Sequence, residues 1–282
     1  MPGFRALTAA QEVARSSPEE AGAFAWTPQW NAPAHVRARF SLRAGGVSQA
    51  PYDSLNLGDH VGDDPVAVAK NRRRWGLELG CAVQIRYLRQ VHGCAAVEFD
   101  EHVPDDVEAD ACWTNQAGRA CTVLVADCLP ILLCDRQGRV VAAAHAGWRG
   151  LAAGVVESIV ARLASNLPGG AQILAWLGPC IGPRAFEVGE DVRRAFLTAA
   201  GIDQDAAAAC FERGVAAGKW WCDLAALARR RLCAAGVGDV AGNDGSDTWC
   251  TVTQSSRFFS HRRDALRLGG SGRMAASIWL AA

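Results

Sequence analysis

The stretch "TVLVADCLPILLCDRQGRVVAAAHAGWRG", residues 122–150, sets apolar runs of strand length around a polar turn at residues 136–139. Short apolar runs bounded by turn chemistry read as buried strands. Cys128 interrupts the first run, after Asp127 and ahead of Pro130, and His145 closes the second just before Gly147 and Gly150. Packing alone would be served by Ala at either place. Two neighbouring strands with a thiol and an imidazole at their ends therefore raise both a fold and a chemistry.

Outward from this stretch, strands and helices interleave. Residues 24–42 are short, aromatic and β-branched, and the Gly/Pro/Asp-rich segment that follows, residues 43–65, reads as a long polar loop. Asp63, Asp64 and Pro65 open a helix expected over residues 66–80. The segment "IRYLRQVHGCAAVEF", residues 85–99, reads as a strand, a turn at Gly93 and a second strand. Beyond residue 150 the pattern predicts a helix from about Leu151, then a strand, a Gly-Pro loop and a helix in residues 171–197. An amphipathic helix is expected over "WWCDLAALARRRLCAAGV", residues 220–237, and two strands around a basic loop in the last 37 residues, 246–282. Strands and helices alternating without a linker argue one domain built on a layered sheet.

The 282 residues are long enough to bury a full core. Half are apolar and 21% charged, the composition of a globular chain. The 29 basic and 29 acidic residues cancel, so no general field pulls the chain toward nucleic acid or an acidic membrane, and a charged ligand must be held by a local cluster. No apolar run approaches the roughly 20 residues of a membrane span. Residues 1–23 lack the apolar core of a secretory signal; the weakly amphipathic residues 4–13 read as a short helix or, preferably, a flexible extension, and a cytoplasmic location is expected. Eleven cysteines at irregular spacing make a poor disulfide framework, and most serve as small apolar filler.

His92, in "QVHG", repeats the grammar of His145: an apolar run, a ligand-type side chain, then Gly. Strand ends feeding Gly-rich turns are where α/β folds place ligand groups. From spacing alone, convergence of His92, Cys128 and His145 on one point and three separate packing roles both stand.

The blocks "RAGGVSQAPYDSLNLGDHVGDDPVAVAKNRRR", "QVHG", "ADCLPILL", "HAGWRG", "LGPCIGPRAFEVGEDV", "FFSHRRD" and "GRMAASIWL" occur in this order from residue 43. Together they resemble the bacterial laccase-domain proteins, also called polyphenol oxidases and since reassigned as purine nucleoside phosphorylases. The resemblance runs from about Phe24 to the C-terminus. It implies an α+β fold, a single layered α/β/β/α sandwich with mixed sheets over residues 24–282. It also implies a Zn²⁺ enzyme in which His92, Cys128 and His145 hold the metal. The implied activities are phosphorolysis of adenosine, inosine, guanosine and methylthioadenosine, together with adenosine deamination, and the implied partners are purine nucleosides and phosphate. A monomer or a homodimer is compatible with it.

Three protein ligands and an open fourth position suit a catalytic zinc. Deamination also needs a proton shuttle, and Asp127 is the nearest candidate in sequence. Phosphate needs a cradle, for which Arg43, Asn56, His60, Asn71, Arg72, Arg149 and Arg262 are the candidates, with Arg43 and Arg262 preferred. Arg73, Arg74 and Arg263 are expected on solvated faces. Cys180, between two Gly-Pro pairs, is expected to be structural; Glu187 and Asp191 to share a helix face; and Trp148 to stack on a purine or close over the core. His261 stands where the family more usually has Tyr. A copper oxidase is disfavoured, because Met1 and Met274 are the only methionines to serve as an axial ligand and six histidines include no H-x-H pair. A cysteine hydrolase using Cys128 with a His base is the other alternative, but it leaves the second His without a role.

Overall fold

A computed structural model describes residues 24–281; residues 1–23, including the expected extension, lie outside the described residues. The strands in chain order are β1 (Ala25–Trp26), β2 (Val36–Ser41), β3 (Gln84–Ile85), β4 (Ala96–Glu98), β5 (Ala111–Thr114), β6 (Arg119–Val125), β7 (Leu129–Asp135), β8 (Val141–Ala146), β9 (Ile173–Leu177), β10 (Glu187–Gly189), β11 (Phe211–Arg213), β12 (Lys219–Cys222), β13 (Asp239–Gly242) and β14 (Met274–Leu280). The helices are α1 (Pro65–Leu79), α2 (Trp148–Ala153), α3 (Val155–Ser165), α4 (Glu190–Leu197), α5 (Gln204–Ala208), α6 (Leu224–Ala234) and α7 (His261–Leu268).

Two mixed sheets form the centre. One runs β1-β2-β14-β6-β3 and the other β13-β9-β7-β8-β5-β4, while a small antiparallel sheet, β10-β12-β11, stands apart. The two-residue period of a strand sorts side chains between layers. Cys121, Val123 and Val125 of β6, with Phe40, Ala276 and Ile278, pack against Leu132, Cys134, Val141, Ala143 and Trp176 from the other sheet. The alternate residues Ala120 and Leu124 face Trp75 and Leu79 of α1. Leu129, Ile131, Leu133, Ala142 and Ala144 instead meet α3 and α6 through Val156, Ile159, Leu227 and Leu232. The stack is therefore helix, sheet, sheet, helix. Strands buried on both faces explain why β7 and β8 read as unbroken apolar runs, with every residue of each buried.

Several elements differ from the sequence reading. No strand occupies residues 86–91 apart from one bridge, Arg89 to Glu108, because the residues that follow give their N–H groups to a side chain described below. The helix expected from Leu151 starts at Trp148 and is broken by Gly154, which adopts φ 101°, a conformation that costs glycine little. Trp220 and Trp221 lie on strand β12, and α6 starts only after Asp223, whose carboxylate caps it at Ala226 N–H. The closing segment holds one strand, β14; its basic residues form helix α7, capped by the Ser260 hydroxyl, and not a loop. Glu187 is in β10 and Asp191 in α4, so they share no helix face. Among the described residues, no helix is long and apolar enough to cross a membrane.

Candidate metal centre

Cys128 sits in the turn between β6 and β7, and His145 is the penultimate residue of β8, which pairs with β7 so that His145 lies opposite Pro130. Register alone therefore brings the thiol and the imidazole together. His92 arrives from a loop. Its backbone adopts φ 61°, unusual for a non-glycine residue. The loop is held on two sides. The Gln90 amide donates to Leu124 O at 2.8 Å and accepts from Leu124 N–H at 2.7 Å, taking the place of a strand partner for β6. The buried Asp110 carboxylate accepts the N–H groups of Val91, His92 and Gly93 at 3.2, 2.9 and 2.6 Å.

Asp110 also accepts from His145 Nδ1 at 2.8 Å. This bond fixes the ring and turns Nε2 away from the carboxylate and toward the cluster. The ligand atoms of His92, Cys128 and His145 all lie within 4.8 Å of one another, and they form the one such group of three among the described residues. His92 Nε2 is 3.7 Å from Cys128 Sγ, and the two imidazoles meet edge to face with centroids 4.8 Å apart. His145 is buried, Cys128 half-buried and His92 exposed, so the cluster is reachable from one side.

Burial alone would push the Cys128 thiol up; the charge of His145 and the hydrogen bonds from both histidines overcome it and bring it down to about 6. Burial alone would lower His145, but the Cys128 thiolate and the Asp110 carboxylate raise it to about 9. Without metal, thiolate and imidazolium stabilise each other. A soft thiolate with two imidazoles at this spacing is a ligand set for a divalent transition metal.

Close packing protects the arrangement. A Cβ on Gly147 would lie 2.7 Å from His92 Cδ2 and 2.9 Å from Cys128 Sγ, and one on Gly150 would lie 2.6 Å from Gly93 O. The two glycines of "GWRG" thus let the start of α2 close against both metal-ligand loops.

The other sequence candidates fall into two sets. His60 and Arg72 meet at the loop at residues 56–60, where Arg72 pairs with Asp59 at 3.0 Å, donates to Leu57 O and stacks 3.9 Å over Tyr87. His60 lies 3.5 Å from Asp59 and is lowered by partial burial and by the cations Arg273 and Arg72. Asn56 and Asn71 are buried with protein partners on their amides: Asn71 holds Ser48, Ser54 O, Asn56 O and Val47 N–H, and Asn56 holds Gly58, Asp63 and Arg273 N–H. They stitch this loop.

Arg43 is engaged elsewhere. It donates to Asp53 O, Asp53 Oδ2 and Ser255 O, and it lines a surface cleft with Asp264 and Arg267 that includes none of the three metal-ligand residues. Arg149 is exposed and stacks 4.4 Å from the Trp148 ring, which is itself half-buried against the core. Arg262 is exposed and lies over Phe186, whereas Arg263, expected on a solvated face, is half-buried and fully engaged by Asp264 and the carbonyls of Thr251, Val252 and Phe258. Cys180 is buried beside Asn243, and burial pushes its thiol well up. Asp127, at φ 83°, accepts Thr251 Oγ1 on one oxygen and Arg262 N–H at 2.6 Å on the other, tying the start of α7 to the Cys128 turn.

Sequence reasoning missed Asp110, Gln90 and Arg273. An acid inside the apolar run "EADACW" was the one available signal for Asp110.

The family model for multi-copper polyphenol oxidoreductase laccase matches residues 37–281. The chain belongs to this family. A protein of Pseudomonas aeruginosa named purine nucleoside phosphorylase is 51% identical over 258 residues, covering 91% of this chain and 98% of that protein. One of Escherichia coli K12 with the same name is 47% identical over 253 residues, 90% of this chain and 97% of the relative. The crystal structure of a Neisseria meningitidis protein matches with a TM-score of 0.83 at 45% identity over 92% of this chain and all of that one. The laccase in the family's description would need several coppers; among the described residues there is one cluster of three.

Proposed function

We propose that the chain is a zinc-dependent purine nucleoside enzyme of the cytoplasm. It phosphorolyses adenosine, inosine, guanosine and methylthioadenosine to the base and (methylthio)ribose 1-phosphate, and it deaminates adenosine. The observation that carries the reading is the convergence of His92, Cys128 and His145 on one reachable point, in a chain whose relatives at 46–51% identity bear the phosphorylase name. With Zn–S near 2.3 Å and Zn–N near 2.0–2.1 Å, a tetrahedral ion separates its S and N ligands by about 3.6 Å. The 3.7 Å between Cys128 Sγ and His92 Nε2 fits that spacing.

When bound, zinc supplies Lewis acidity and local positive charge. The chain supplies the rest. Asp110 fixes the His145 imidazole through Nδ1 and the His92 loop through backbone N–H groups, Gly147 and Gly150 keep the loops close, and His60 and Arg72, joined through Asp59, are assigned to substrate contacts. In phosphorolysis a phosphate oxygen forms a bond to C1′ while the C1′–N9 bond breaks. Its electron pair leaves with the purine, which takes up a proton. In deamination water adds at C6 and ammonia departs.

The test is metal content by mass spectrometry, with adenosine incubated with and without phosphate and the products resolved chromatographically. Near-stoichiometric zinc and phosphate-dependent release of adenine and ribose 1-phosphate are expected, with inosine formed in either condition. Intact nucleosides and metal-free protein, unaffected by Cys128→Ala, would refute the reading. The Cys128–His145 ion pair would also serve a cysteine hydrolase, but that role gives His92 no work.

A further inference from the structure

One cation near the cluster is left without a counter-charge. Arg273 immediately precedes β14, whose first residue, Met274, pairs with Val125, the last residue of β6. Register thus sets Arg273 beside residues 126–128, the turn that carries Asp127 and Cys128. Its backbone is fixed from the other side: Arg273 N–H donates to Asn56 Oδ1 at 2.9 Å, and its carbonyl accepts from Leu57 N–H at 3.1 Å. The side chain passes over Gly58, where a Cβ would come within 2.7 Å of Arg273 Cγ.

The guanidinium donates through Nη1 to the carbonyls of Ser271 and Gly272, and no carboxylate lies within ion-pair distance among the described residues. Burial opposes its charge, and Cys128, Asp127 and Tyr52 are the acidic groups near enough to favour it. Asp127 is already engaged by Thr251 and Arg262, and Cys128 by the histidines. Arg72, by contrast, is neutralised by Asp59. A half-buried guanidinium with Nε and Nη2 unengaged, held by backbone on two sides and set by register beside the turn of a metal-ligand residue, is built for an incoming anion.

We infer that Arg273 grips a phosphate dianion beside the metal centre, and that this dianion is the inorganic phosphate of the proposed phosphorolysis. The inference rests on the phosphorylase reading for the role of the anion. The anion site itself rests on the geometry.

The experiment compares wild type with Arg273→Gln, Arg273→Lys and Gly58→Ala, the last leaving the charge intact but displacing its stem. Arg267→Ala, on the exposed face of α7, is the control. In the zinc-loaded protein, KM for phosphate is expected to rise about 10- to 100-fold in Arg273→Gln and in Gly58→Ala. Arg273→Lys falls between these and wild type, and KM for nucleoside and zinc content stay within about threefold. Binding of inorganic phosphate by calorimetry, without nucleoside, reports the same order. An unchanged KM and affinity for phosphate, with zinc content falling instead, would overturn the inference and make Arg273 a charge balance for Cys128. A rise in KM for a nucleoside 5′-monophosphate alone would overturn it in favour of a nucleotide ester. A wild type that binds phosphate through Arg273 yet cleaves no nucleoside would sink the phosphorylase reading and leave the anion site standing.

Discussion

Asp110→Asn isolates how much of the metal centre depends on one buried carboxylate. The carboxylate accepts from Val91, His92 and Gly93 N–H and from His145 Nδ1, all four bonds within 3.2 Å. An amide of the same shape keeps one oxygen and turns the other position into a donor that faces donors. Two of the four bonds are lost. A hydrogen bond to a charged group contributes about 1.5–3 kcal/mol, so the metal-free protein should lose about 3–6 kcal/mol, a large part of the 5–15 kcal/mol typical of a domain. Zinc affinity should fall about 10- to 100-fold, as happens when the group orienting a ligand His is removed. Urea unfolding of metal-free protein gives the first quantity and competition with a chromogenic chelator the second. A loss below about 1 kcal/mol with unchanged zinc affinity would refute the reasoning, since the loop and the ring would then be held without the carboxylate.

Gly147→Ala should cut zinc occupancy severely while the far-ultraviolet circular dichroism stays native, because the new Cβ collides with His92 and Cys128 and with no β-sheet. Asp127→Asn should lower stability by about 1–3 kcal/mol through the contacts to Thr251 and Arg262, with the pH profile of deamination unmoved; a lost limb in that profile at native stability would instead make Asp127 the proton shuttle. Asp135 is held below the usual carboxylate range: burial opposes this, but the N–H groups of Arg139, Gln137 and Val140 and the Arg139 guanidinium outweigh it. Its contribution is therefore present above the ordinary carboxylate pKa near 4 and fades as pH falls through the lower folded value. Unfolding midpoints measured below about pH 4 should fall less steeply for Asp135→Asn than for wild type.

Sequence patterning reaches the architecture and part of the site. β7 and β8 were legible because strands covered on both faces are apolar through their middles, so their runs stand out, and α1 was legible from Asp64 and Pro65 at its start. His92, Cys128 and His145 stood out for a related reason: each interrupts or ends an apolar run just where the chain turns. The closing segment misled because His261, Arg262 and Arg263 look like a solvated loop until Ser260 is seen to cap a helix.

The chain's own order of residues determined the layers, the strand ends and the positions of the three candidate ligands, since these depend on period, turn chemistry and side-chain character close in sequence. Which charged residues serve the site was decided only by tertiary structure. Arg43 and Arg273 are both arginines within two residues of a glycine, but Asp53 and Ser255 occupy one, while the β14–β6 register sets the other beside the Cys128 turn with no ion-pair partner among the described residues. Asp110 acquires its role through β5 lying beside β8 and the His92 loop folding over it. A charge is free or spent according to what the fold sets beside it in space, and that partner is usually far away in the chain.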